Sequence, residues 1–156
     1  MKKLFALLLA ITMMATLSVT AFAADYDTAG DKDMTVTYSV DPAYTVTIPT
    51  DVTIDGNAAT IKAENVVVPK GKQVEVALTN ANGFTVATPQ GASLTYTVKN
   101  GETTVNEGDT VLTVNPDGGK TGETTLKFVA PETAQFAGDY TGTVTFTIAV
   151  NPAENN

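Results

Sequence analysis

The sequence predicts an all-β domain, an antiparallel sandwich of two sheets with about 8–10 short strands. Three observations predict it. Residues 139–150, Asp-Tyr-Thr-Gly-Thr-Val-Thr-Phe-Thr-Ile-Ala-Val, alternate without a break. Tyr140, Gly142, Val144, Phe146, Ile148 and Val150 share one face, and threonines with Ala149 form the other, which is the period of a half-buried strand. Shorter alternating runs recur upstream, separated by Gly, Pro, Asn and Asp. After the N-terminal segment, no window carries an apolar stripe at helical spacing. A closed barrel is the alternative, disfavoured by the uneven strand lengths.

The elements follow in chain order. Residues 34–40 alternate, with Met34, Val36, Tyr38 and Val40 expected inward as a first strand. After Asp41-Pro42, Tyr44, Val46 and Ile48 form a second run, which Pro49 ends by removing a donor. Residues 52–54 are a short candidate leading into the turn Asp55-Gly56-Asn57, and 61–63 and 66–68 are weaker ones. Val74, Val76 and Leu78 alternate cleanly, and the Asn80-Ala81-Asn82-Gly83 loop suggests a hairpin to Phe84 and Val86. Leu94, Tyr96 and Val98 run into Asn100-Gly101, which suits a type I′ hairpin returning through 103–105. Residues 111–114 and the Leu126, Phe128 run give two more strands. A connection at 131–138, with one helical turn possible from Pro131, leads to the closing strand.

The chain has 156 residues, and its first 23 read as a cleaved signal peptide. Lys2 and Lys3 precede an apolar run at 4–17, and Ala21-Phe22-Ala23 offers the small-x-small cleavage pattern. The apolar run is shorter than the ~20 residues a bilayer requires, so no membrane span is expected after cleavage. The expected organisation is a flexible acidic leader at 24–33, a sandwich domain at 34–151 and a disordered tail at 152–156. Seven lysines would then face seventeen carboxylates. That balance disfavours nucleic acid and anionic membranes as partners. With no cysteine in the chain, an exported fold must rest on its core alone.

Composition also narrows the chemistry. Histidine, cysteine, arginine and tryptophan are all absent, so a serine nucleophile would lack its imidazole base and zinc its usual ligands. Gly118-Gly119-Lys120-Thr121-Gly122 leads into a strand rather than the helix a phosphate loop needs. No carboxylate pair stands out for glycoside hydrolysis. The expectation is no enzyme activity, no catalytic residue and no cofactor. Asp25, Asp27 and Asp31 begin like a calcium loop with Gly30 at its sixth position. Ala29 and Val36 occupy positions five and twelve, where ligands are needed, so a solvated linker is the simpler reading. Tyr38, Tyr44, Tyr96 and Tyr140 share faces with apolar residues and are expected at core edges rather than in ligand contact. Tyr140, Gly142, Phe146 and Ile148 are the expected structural residues of the closing strand: a corner tyrosine, a gap that a neighbour must fill, and two core side chains.

Residues 136–148, Phe-Ala-Gly-Asp-Tyr-Thr-Gly-Thr-Val-Thr-Phe-Thr-Ile, resemble the final strand of secreted bacterial β-sandwich families, the WxL-domain cell-wall proteins and the spore-coat-U or fimbrial-type subunits. Where the former carry a tryptophan-x-leucine triplet, this chain has Phe146-Thr147-Ile148. Tyr44-Thr45-Val46-Thr47-Ile48-Pro49 is similar to small surface proteins of Gram-positive bacteria. The resemblance implies an immunoglobulin-like sandwich and a role in adhesion or assembly. The functional expectation is an exported, non-enzymatic cell-surface or extracellular-matrix protein, secreted or held non-covalently at the cell wall. Its partners would be other surface proteins or cell-wall polymer, with self-assembly through residues 34–40 as a sharper form. A carbohydrate-binding module is the alternative.

Overall fold

A computed structural model describes residues 30, 34–116, 119–130 and 134–153. The signal peptide, nearly all of the acidic leader, Pro131 and residues 154–156 of the tail lie outside the described residues. The fold is almost entirely antiparallel β. Among the described residues its ten strands are β1 (Ala43–Thr47), β2 (Ala59–Val67), β3 (Lys72–Asn80), β4 (Thr85–Ala87), β5 (Ser93–Thr95), β6 (Thr97–Asn100), β7 (Thr103–Val105), β8 (Thr110–Val114), β9 (Gly122–Val129) and β10 (Thr145–Pro152). A five-stranded sheet has the order β1-β2-β9-β6-β7, and a three-stranded sheet the order β10-β3-β8. A β4-β5 ribbon completes the set.

The two larger sheets bury their alternating aliphatic residues against each other. Ile61, Val66, Val74, Val76, Leu78, Val98 and Leu126 are the large side chains with almost no exposure. They come from β2, β3, β6 and β9, strands with a neighbour on each side, so the core lies at the middle of both sheets. The stretches 61–63 and 66–68 are mostly one strand, β2, interrupted at Asn65. Asn65 takes a φ of +54°, and the β1–β2 register shifts beside it, which is the signature of a bulge. At the next hairpin Asn100 pairs with Thr103, so Gly101 and Glu102 are the central residues. Only Gly101 has positive φ, the pattern of a type II′ rather than a type I′ turn.

Five expectations are corrected. Residues 34–40 join no strand ladder, and their apolar side chains face solvent instead of a core. Residues 52–54 are not a strand: Gly56 N–H closes a turn on the Thr53 carbonyl. β3 does not form a hairpin with β4 but pairs with β10 and β8, because the loop turns through a short 3₁₀ segment at Asn82–Phe84. The run 94–98 divides at Tyr96, with β5 in the ribbon and β6 in the large sheet. The closing ladder begins at Thr145, and before it Thr141 makes an isolated bridge to Ala87 of β4.

Candidate functional site: an open flank beside β1 and β10

β1 and β10 are edge strands, one in each of the larger sheets. On β10, Phe146, Ile148 and Val150 stand opposite Leu78, Val76 and Val74 of β3. The β3 residues are fully buried, whereas Phe146 and Ile148 are half-buried and Val150 is 38% exposed. Side chains paired on one face differ this way when the facing sheet covers one strand and only partly reaches the next. Phe146 and Ile148 therefore pack at the margin of the core, not at its centre as expected from their place in the alternation.

Where β1 ends and β10 begins, the flank opens into clefts. One has a volume of about 260 Å³ and lies between Ile48, Ala59, Phe128, Val144 and Phe146, among others. A larger one of about 840 Å³ runs between residues 51–55 and 140–144 over Val86, Leu94, Tyr96 and Phe128. Its floor is ordered by aromatic packing: the Tyr96 ring lies 5.9 Å from both Phe84, edge-on, and Phe128, tilted. Burial, and secondarily the Glu107 carboxylate, raise the Tyr96 phenol above its ordinary pKa. Its rim is tied down by Asp55. The Asp55 N–H donates to the Phe128 carbonyl at 2.8 Å, and its Oδ1 accepts from the Ala130 N–H at 3.1 Å.

Of the residues singled out from sequence, the structure gathers Tyr140 and Gly142 at the larger cleft and Gly142 with Phe146 at the smaller. The Tyr140 hydroxyl donates to the Phe136 carbonyl at 2.9 Å, joining the connection to the start of the closing segment. A Cβ on Gly142 would stand 2.9 Å from Val86 Cγ1 and 3.1 Å from the Thr85 carbonyl oxygen, so β4 fills the space beside it. Ile148 lies further along β10. Tyr44 is half-buried and Tyr96 buried, but Tyr38 is 89% exposed. Asp25, Asp27 and Asp31 lie outside the described residues, and among the described residues no cluster of three metal-ligating side chains forms.

Sequence reasoning missed Glu107. Its Oε1 accepts from the Ala81 N–H at 2.6 Å and the Gly83 N–H at 3.2 Å, fixing the turn that leads to the cleft floor. Only the partner's position, 26 residues away in sequence, could have revealed it.

Among the described residues no helix is long and apolar enough to cross a membrane. No protein-family model and no curated protein matches the chain.

Proposed function

We propose that the chain is an exported, non-enzymatic cell-surface or extracellular-matrix protein that acts through protein–protein or protein–wall contact, as an adhesin-like or assembly subunit. The observation that carries this reading is the stretch 34–40, where Met34, Val36, Tyr38 and Val40 are each at least 60% exposed. Soluble proteins seldom display such a run unless something covers it. The signal-like N-terminus and the lack of histidine, cysteine and arginine support the same reading.

Fractionation of the native host tests it. The protein is expected in the medium or wall fraction, shortened by residues 1–23. Recovery from the cytoplasm at full length would overturn the reading.

A carbohydrate-binding module is the second reading, favoured by one observation: Tyr96, Phe128 and Tyr140 meet Asp51 and Asp55 around a cleft large enough for a sugar. Among the described residues no row of exposed tyrosines lies on a sheet. A module of this kind would retain wall polysaccharide in a pull-down and lose it on Asp51→Ala. Absence of any polysaccharide binding would end that reading.

A further inference from the structure

We propose that residues 34–40 of one copy add as a strand beyond β1 of a second copy, extending its five-stranded sheet over the half-covered face of β10. The inference rests on the reading of the chain as a contact protein, and names its partner as another copy of itself.

Met34-Thr35-Val36-Thr37-Tyr38-Ser39-Val40 has the alternation of a strand with one apolar face, yet that face is exposed and no ladder includes it. Seven residues of strand span about 23 Å, ample to run the length of β1. The receiving flank has the complementary deficit. Val150 is exposed, Phe146 and Ile148 are half-buried, and Val52 at the nearby rim is 39% exposed. A strand beyond β1 would lie over them.

Both edges at this flank also lack charge. Free edges are commonly guarded by charged side chains that discourage pairing. Neither β1 (Ala-Tyr-Thr-Val-Thr) nor β10 (Thr-Phe-Thr-Ile-Ala-Val-Asn-Pro) contains a charged residue, and neither does 34–40. In so acidic a protein these three stretches let two copies meet without juxtaposing carboxylates.

The chain's own β1 does not pair with this segment. Only Asp41 and Pro42 separate them, so an antiparallel return pairing the whole segment with β1 would need a two-residue hairpin with positive φ at its first central position. Asp41 does not have positive φ, and a type I′ turn would require it of Pro42 too, whose ring forbids it. Parallel pairing would need a crossover of a dozen or more residues. The β1 edge is unpaired by its own segment and is open to a neighbour's. Because donor and acceptor surfaces differ, the contact is heterologous, and each copy can both donate and accept.

Complementary variants test this on the chain freed of residues 1–23, with sedimentation velocity from about 1 to about 100 µM to cover micromolar affinities. Val36→Lys/Tyr38→Lys removes the donor face, and Val150→Lys places a charge on the acceptor face. Thr35→Lys/Thr37→Lys, on the opposite face of the segment, is the control. The native chain and the control are expected to form concentration-dependent oligomers. Each of the other two variants alone should remain monomeric with an unchanged unfolding midpoint, and their equimolar mixture should form dimers and nothing larger. A native chain that stays monomeric throughout, a donor variant that associates like the native chain, or a mixture that stays monomeric would each overturn the proposal. Export is read separately. A cytoplasmic chain that associates fails the functional reading alone, and an exported chain that stays monomeric fails this inference alone.

Discussion

Gly142 lacks a side chain where β4 comes close enough to occupy the space. A valine there must push against Val86 Cγ1 and the Thr85 backbone oxygen. Backbone yields little, so Gly142→Val is expected to destabilise by about 1–3 kcal/mol, the usual cost of overpacking. Urea unfolding checks it, and an unchanged midpoint would mean that the closing segment does not pack on β4. Tyr96 gives a pH signature. Its folded phenol titrates above the ordinary value of 10.0, chiefly through burial and then through Glu107. The folded state thus holds a proton that the unfolded chain releases first. This contribution is intact below pH about 10 and is lost as pH rises towards the raised value. Unfolding midpoints from about pH 8 to about pH 11 should fall for the native chain and fall less for Tyr96→Phe. Equal slopes would remove Tyr96 as a source of alkaline instability.

At the scale of elements, alternation identifies a face but not a partner, and this separates what was legible in the sequence from what was not. The runs around Val46, Val76, Leu112 and Phe128 are strands because period two with Pro, Gly and Asn at the ends leaves little choice. The same period runs unbroken through 94–98 and 139–150, although in both the backbone changes neighbours part-way. Such a change leaves no mark on the hydrophobic pattern. The β3–β10 pairing spans some seventy residues and could not be inferred from proximity, whereas the β6–β7 hairpin could, because its turn residues are local. Residues 34–40 show the limit most clearly: the pattern marks a strand, and the chain supplies it no ladder. A chain beginning at Asp41 should therefore unfold within about 0.5 kcal/mol of the longer one, as expected when no native contact is removed. A larger loss would place 34–40 in the domain's own core.

At the scale of the molecule, the candidate site was only partly visible. Tyr140, Gly142 and Phe146 were marked by their strand, and they do line the clefts. The remainder of the flank depends on which strands are edges, and edge position is a property of topology. Asp55 and Glu107, which fix the surrounding loops, act through partners distant in sequence and carry no local motif. The resulting molecule is acidic and holds two complementary uncharged surfaces: an unpaired segment before β1 and an uncovered face beside it. Hydrogen–deuterium exchange on the chain freed of residues 1–23, at dilute and at high concentration, tests that arrangement most directly. The account requires the amides of 34–40 to exchange freely when dilute and to become protected together with the outward amides of β1 as concentration rises. Protection of 34–40 that is already present in the dilute monomer, or absent at every concentration, would contradict it.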